Sequence, residues 1–562
     1  MYGWVYARNI EKIPNCEGTL RQWNNSYLFK NLLAKFPEDI VDMQEEDVHC
    51  FFDGYIFDKD KLCKTYEEPT WTNVFAKNCR HNIVENDYRG GFSGFVNKEQ
   101  EQETIGFVDQ MGVRTAFYYV SSNQLIISSN INFIVDILNK EKISIHLDET
   151  AARYMLSFGS MIDDSTMVKE IKRILPGCKV IFRDGRVIKE QYYRMDNTKR
   201  KQDMSEKDAM QLIDDKFRNA IRREFEKDKE YGYRHLVDLS GGLDSRMVCF
   251  VAHDMGYTDQ VNFTYSRSKY LDFKISEKIA KDLKHDYLFQ PLDTCNWMHE
   301  IDENVEKGYG LIRYNSLTGG NLFLKTINPD MFGMEHTGMV GDVIISSFYK
   351  DEKTAMSMPQ FGRHLYAEKM IYDFDDNILK QYRNQELFAL YTRGLLNAQG
   401  SYFIRQNYFE PTSPFLDVDV VDACLSLPFD YRKKHYIYLK WINDYYPQAS
   451  EYGWEKWGGV KPKQSHIKYR RFVTAKRLLN IWGCRIFKKA CTDSMNPMDY
   501  WYNSDASLQN FYDSYFDKYI CSSHIPQEMR KELEELYREG TACEKGMVLT
   551  VLGAVAKFFE RG

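Results

Sequence analysis

A chain of 562 residues that is 43% hydrophobic has room for two or three domains with sizeable cores. Its 75 basic side chains against 81 acidic ones leave a net charge of −6, which gives no reason to expect nucleic acid as the main partner. Twelve cysteines form no C-x-x-C pair, which excludes zinc-ribbon and thioredoxin-like readings and suits reduced thiols in a cytoplasmic enzyme.

In chain order, the opening stretch Met1 to Arg8 contains no signal-peptide core. Residues 1–195 read as a β-rich domain. Cys50 to Phe57 is expected to form a strand–turn–strand around Asp53-Gly54, and Gly90 to Val96 to start another strand. Thr104 to Val108, Thr115 to Val120 and Gln124 to Ser129 continue the series, with a turn at Asp109 to Gly112. Alternation is imperfect, so strands packed on both faces are expected. Residues 196–207 are polar and charged without apolar period, which reads as a linker. Ser205 begins a capping box with Asp208, and Met210, Ile213, Phe217, Ile221 and Phe225 follow at helical spacing.

Residues 208–562 change pattern. His235 to Leu239 is a short apolar strand; Met247, Val248, Val251 and Met255 mark a helix that Gly256 ends. Val261 to Tyr265 is a second strand, Leu271, Ile275, Ile279 and Leu283 a second helix, and Asp286 to Leu292 contains a third strand. Such alternation predicts a doubly wound parallel sheet, which binds ligands at the carboxyl ends of its strands. Further on, Arg470-Arg471 and Lys488-Lys489 read as a solvated basic face, and Gln527 to Arg538 and Glu544 to Arg561 as packing helices. The apolar stretch near Met547 to Phe559 is too short and interrupted to span a bilayer, so no membrane is expected among the partners.

The chemistry concentrates in Ser240-Gly241-Gly242-Leu243-Asp244-Ser245, the turn between the first parallel strand and its helix. Such a turn presents backbone N–H groups and the positive end of the helix dipole to an anion. Two glycines allow a phosphate to approach, and the hydroxyls of Ser240 and Ser245 add donors. Asp244 is out of place in a simple anion site, unless a Mg²⁺ lies between it and the phosphates. The segment resembles the S-G-G-x-D-S pyrophosphate loop of the N-type ATP pyrophosphatases, which form AMP esters on a substrate oxygen and release pyrophosphate. It matches all five specified positions.

Three later segments extend the resemblance to asparagine synthetases. Thr337-Gly338-Met339-Val340-Gly341-Asp342 is similar to their S-G-x-G-x-D-E segment, with Val340 at the second Gly and Val343 at the final Glu. Glu410 to Asp417 resembles E-x-R-x-P-F-L-D, with Thr412 in place of the Arg. Lys440 to Pro447 and then Trp454 to Pro462 resemble the part that carries a catalytic lysine, which makes Lys456 the first candidate and Lys461 the second. This resemblance implies ATP and Mg²⁺. The implied nucleotide site comprises Leu239, Ser240, Gly241, Gly242, Asp244, Ser245, Tyr265, Asp272, Gly338 and Asp342, with Asp244 and Asp342 as the metal ligands and the glycines of the second motif allowing close approach to the nucleotide.

Residues 1–195 resemble class II glutamine amidotransferase domains. Asp53 to Ile56 looks like their N-G-E-I segment, Asp109 to Tyr119 like D-x-x-G-x-K-P-L-Y-Y, and Ser128-Ser129-Asn130 stands where they have S-E. Leu156 to Gly159 and Ile171 to Gly177 resemble the L-x-F-G … I-x-x-L-x-P-G stretch of asparagine synthetases. The implied fold is an N-terminal-nucleophile αββα sandwich followed by an α/β ATP-pyrophosphatase domain with a helical extension. The family's nucleophilic cysteine is Tyr2 here, a phenol too weakly acidic to serve, and its oxyanion-hole Asn is Asp53, whose charge opposes an oxyanion. The glutaminase site is therefore expected to be dead, as in β-lactam and carbapenam synthetases and lasso-peptide cyclases.

Three functions stay open at this point. The first is an amide ligase joining a small-molecule or peptide carboxylate to an amine, such as a lactam or macrolactam former or an amidating enzyme of natural-product or glycan biosynthesis, working beside biosynthetic partner proteins. The second is asparagine synthesis from ammonia, disfavoured by Met339 where asparagine synthetases carry Glu. The third is a non-catalytic nucleotide-binding relative, disfavoured by Asp244 and Asp342.

Overall fold

A computed structural model describes residues 1–45, 47–81, 87–316, 320–359, 376–463, 467–486, 492 and 494–560. The first half is built on twelve strands: β1 (Gly3–Arg8), β2 (Thr19–Trp23), β3 (Ser26–Asn31), β4 (Val41–Glu45), β5 (Val48–Ile56), β6 (Gly90–Lys98), β7 (Glu103–Val108), β8 (Phe117–Val120), β9 (Leu125–Ser128), β10 (Lys172–Arg173), β11 (Cys178–Arg183) and β12 (Arg186–Gln191). They form two antiparallel sheets, ordered β10-β8-β9-β1-β3-β2 and β12-β11-β7-β6-β5-β4. Trp4, Tyr6, Leu28 and Ile127 from one sheet interleave with Phe51, Phe95, Val108 and Val180 from the other, which makes the middle of the sandwich. The outer face of the second sheet is covered by helices α1 (Lys59–Tyr66) and α2 (Trp71–Arg80), through Leu62, Trp71, Val74 and Phe75. The outer face of the first is covered by α3 (Ile131–Lys140) and α4 (Glu149–Phe158), both N-capped by a side chain, Asn130 and Asp148. The central strands of both sheets are thus buried on both sides, which is why their alternation is poor, whereas the edge strands β2 and β12 are mostly exposed.

One element differs from expectation. Cys50 to Phe57 is no strand–turn–strand: β5 runs unbroken from Val48 to Ile56, with Asp53 opposite Ser93 and Gly54 opposite Phe92. Gly54 has φ +130°, and a Cβ there would lie 2.1 Å from the Gly91 carbonyl oxygen. That glycine serves a close strand approach, not a turn.

Helix α5 (Glu206–Glu230), capped by Ser205, leads into the second half and buries Met210, Ile213, Phe217, Ile221 and Phe225. There β13 (Arg234–Asp238), β14 (Gln260–Ser266), β15 (Asp286–Pro291), β16 (Phe332–His336) and β17 (Glu410–Thr412) form an all-parallel sheet in the order β15-β14-β13-β16-β17. Helices α6 (Asp244–Asp254) and α7 (Leu271–Leu283) make the first two crossovers. The chain moves outward from β13 to β15 and then returns to the other side of β13. The gap between β13 and β16 is the switch point at which such sheets bind ligands.

The closing helices Gln527–Glu539 and Ala542–Phe558 lie in one apolar cluster with α3 and α4, so they pack against the sandwich. Among the described residues no helix is long and apolar enough to cross a membrane. The described cysteines are all free.

Candidate active site

The turn after β13 and the turn after β16 meet at the switch point. Within the first, the Ser240 N–H donates to Ser245 Oγ (3.0 Å), the Gly242 N–H donates to Ser240 Oγ (3.1 Å), and the two hydroxyls are 3.0 Å apart. The hydroxyls thus brace the loop on itself. Asp272, at the start of α7, is buried and accepts the Gly241 N–H at 2.7 Å, so this expected nucleotide contact is a positioner of the loop. Tyr265 lies at the end of β14, where its hydroxyl accepts from Arg405 Nη2 at 3.0 Å. Leu239, Ser240, Gly242, Asp244, Ser245, Tyr265, Asp272 and Gly338 line one cavity of about 560 Å³, together with Met339, Asn397 and Ser401.

Asp244 and Asp342 come together as expected. The Asp342 N–H donates to Asp244 Oδ2 at 3.0 Å, and the Tyr438 hydroxyl donates to Asp244 Oδ1 at 2.8 Å. Burial, and then the like charge of Asp342, hold the Asp244 carboxyl far above the usual carboxylate range. Burial also pushes Asp342 upward, but His435 and Lys456 outweigh it and hold Asp342 below its ordinary value. The glycines of the second motif also meet the first turn closely. A Cβ on Gly338 would lie 2.3 Å from the Ser245 nitrogen, and one on Gly341 2.8 Å from Asp244 Cγ. These glycines let the second turn press against the Ser240 to Ser245 turn. Val340, at the family's glycine position, has φ +58°, a left-handed conformation that costs a β-branched residue about 1–2 kcal/mol.

The two candidate lysines separate. Lys456 Nζ lies 3.4 Å from Asp342 Oδ2 and 3.4 Å from His435 Nε2. Lys461 is instead paired with Glu451 at 2.8 Å near the surface, and is not brought to the Asp244–Asp342 pair. Residue types alone left other participants unmarked. Arg246, fully buried, donates from Nη1 to the Ala449 carbonyl (3.0 Å) and from Nη2 to those of Gly241 (3.2 Å) and Gly453, while the Glu455 N–H donates to the Gly241 carbonyl (3.0 Å). The segment that carries Lys456 is thereby fastened to the phosphate loop. His435 and the preceding Lys434 both have positive φ, 63° and 54°, and this strained pair aims an imidazole at the site. Arg246, His435 and Tyr438 carried no sequence signal of these roles.

The expected glutaminase centre is closed. Tyr2 is exposed, and its carbonyl accepts from Asn130 Nδ2 at 2.9 Å. Asp53 is buried beside Arg114 (3.4 Å), and Arg114 also pairs with Glu410 at the start of β17. The cavity these residues line, with Ser129 and Tyr309, measures about 20 Å³, room for one water and not for glutamine. Purified protein is expected to release no glutamate from glutamine above background, with or without ATP. Glutamate release that disappears on mutating one cysteine is the contrary result.

The remaining expectations concern fold. Thr412 donates to Glu224 Oε1 (3.0 Å), and Asp417 caps the helix Val418–Leu425 and pairs with Arg223 (2.8 Å), so the Glu410 to Asp417 segment is structural here. Arg471 is exposed, as expected of a solvated face, whereas Lys488 and Lys489 lie outside the described residues.

Residues 72–193 match the glutamine amidotransferase domain family. The chain is 22% identical over 312 residues to asparagine synthetase [glutamine-hydrolyzing] 1 of Bacillus subtilis (strain 168), across 53% of this chain and 48% of that protein. It therefore spans about half the length of the curated relative it matches. Among solved structures it aligns with an allosteric regulatory enzyme of purine biosynthesis (TM-score 0.23, 9% identity, 51% of this chain and 74% of that one). It also aligns with a glutamine phosphoribosylpyrophosphate amidotransferase from B. subtilis complexed with ADP and GMP (TM-score 0.22, 8% identity, 69% and 83%). At those scores the structural likeness carries no argument. The sequence comparisons place a glutamine amidotransferase-type domain over residues 72–193 of a chain similar to an asparagine synthetase.

Proposed function

We propose that this chain is an ATP-dependent, AMP-forming carbon–nitrogen ligase. It adenylates a substrate carboxylate, releases pyrophosphate and passes the acyl group to an amine, as in lactam or macrolactam formation or amidation of a biosynthetic precursor. The observation that carries this reading is the meeting of Asp244 and Asp342, from two loops at the switch point, at the mouth of a Gly-rich turn on a helix N-terminus. The donor set fits Mg²⁺: two hard carboxylates converge, and one of them is held far above its usual range by burial and then by its neighbour's like charge. Mg²⁺ bound there supplies charge neutralisation for the leaving pyrophosphate.

The chain's own residues do the rest. The N-terminal end of α6 receives the phosphates, since the N–H groups of Ser240, Gly241 and Gly242 are committed within the turn and to Asp272, and Asp272 and Arg246 hold that loop in shape. Tyr438 orients Asp244. Met339 lines the cavity where asparagine synthetases carry Glu; a thioether takes no proton, so the amine loses its proton elsewhere. Lys456 supplies a fixed positive charge beside Asp342.

The test is phosphorus NMR of the products formed from ATP with a panel of carboxylates and amines. AMP and pyrophosphate are expected, and ADP as main product overturns the reading. Lys456→Met is expected to keep ATP binding and to lower single-turnover amide formation by about tenfold to a hundredfold, the loss being moderated because this lysine is half-exposed. An unchanged amide yield removes Lys456 from the reaction.

A further inference from the structure

The helix Ile467–Ile486 has an unusual outer face. Phe472, Leu478, Leu479 and Trp482 are 67%, 60%, 66% and 64% exposed, the largest run of exposed apolar side chains in the described chain. With Ala475, also exposed, they stand at i, i+3, i+6, i+7 and i+10, one face of an α-helix over about 15 Å. Its opposite side is anchored, because Val473 packs where a Cβ on Gly458 would meet it at 2.7 Å, beside the segment that carries Lys456. Among the described residues nothing covers the stripe, and its residue types are Phe, Leu and Trp, which bury well at an interface.

Charge decides what covers it. The helix sequence contains Lys468, Arg470, Arg471, Lys476, Arg477 and Arg485, and no Asp or Glu, in a chain whose net charge is −6. Arg471 and Lys476 are exposed beside the stripe. A second copy of this helix laid on the first brings together two helices whose charged residues are all cations, which like-charge repulsion opposes. An anionic bilayer matches both features at once: acyl chains take the apolar stripe to a shallow depth, and acidic headgroups meet the flanking cations. We propose that the helix Ile467–Ile486 lies in the surface of a membrane rich in anionic lipid and holds the chain there peripherally. This replaces the expectation of no membrane partner. It does not depend on the reaction assigned above.

The experiment is sedimentation of the full chain with vesicles. Phosphatidylcholine containing about one-third phosphatidylglycerol is expected to carry the protein down, phosphatidylcholine alone is not, and raising the salt weakens the association. The double substitution Leu479→Asp with Trp482→Asp, on an exposed face, is expected to lower the bound fraction at least about tenfold without changing the circular dichroism or the melting temperature. Three results overturn the proposal: wild type that stays in solution with the anionic vesicles, a double variant that sediments as well as wild type, or a dimer in solution that the double substitution dissolves.

Discussion

Replacing Asp244 by Asn lowers turnover about a hundred- to a thousandfold while leaving the fold intact, and Asp342→Asn does the same. The substitution is nearly isosteric. Its amide oxygen can still accept one of the two donors now on Asp244, the Asp342 N–H or the Tyr438 hydroxyl. What disappears is a charge that the local environment opposes, since burial and the nearby Asp342 already push the Asp244 carboxyl upward. Free protein should therefore melt no lower than wild type, and even higher, as turnover collapses. This divergence separates a metal ligand from a structural carboxylate, whose loss lowers both. Steady-state turnover of both variants, with the thermal melt of Asp244→Asn beside it, decides it; the higher melt is not expected of Asp342→Asn, whose charge His435 and Lys456 favour. Near-normal turnover in either variant removes that residue from the metal site.

Arg114→Leu costs about 3–5 kcal/mol of stability, the expected price of leaving buried carboxylates without their cation. Arg114 lies between Asp53 of the sandwich and Glu410 of the parallel sheet, and all three are buried or nearly so. Burial keeps Glu410 up at about 7 even with Arg114 beside it, and it raises Asp53 as well. A carboxyl whose folded pKa lies above its unfolded value contributes stability that is full below the unfolded pKa and is lost as pH rises through the folded one. Removing Arg114 raises both groups further. The deficit should be greatest above about pH 7 and shrink on acidification toward about pH 5. Adding Glu410→Gln should recover part of it at neutral pH. Denaturant melts across that range provide the check; a deficit independent of pH means that packing, not charge, is lost.

The same ion cluster shows what the sequence could and could not convey. The tyrosine and aspartate at two family positions were enough to expect a closed glutaminase centre. That the vacated space is filled by an ion pair reaching across to Glu410 was not legible, because its partners are far apart in the chain. The phosphate loop was legible as strand, glycine turn and helix because all its parts are local. Strands β1 to β4 were not: β2 is exposed along almost its whole length, and β1 is buried on both faces, so neither alternates. Asp53-Gly54 imitated a turn because a glycine needed for close strand approach looks the same in sequence as one needed to reverse the chain. Among the site residues, Lys456 ranked ahead of Lys461 from the segment they share, with no contact to decide between them. Only the tertiary approach to Asp342 separates them.

The fastening of residues 449–455 to the Ser240 to Ser245 turn has a consequence for how the site moves. Four carbonyls from two distant segments, those of Gly241 and of Ala449, Tyr452 and Gly453, share one guanidinium, and a backbone bond from Glu455 to Gly241 closes the ring. Neither segment can open without the other. In hydrogen-exchange terms they form one cooperative unit, with the Glu455 amide exchanging at the rate of the loop's own opening rather than at that of a surface turn. The lysine beside Asp342 is therefore carried on the same rigid body as the phosphate loop, and whatever rearrangement admits substrate or frees product must take place in another wall of the cavity.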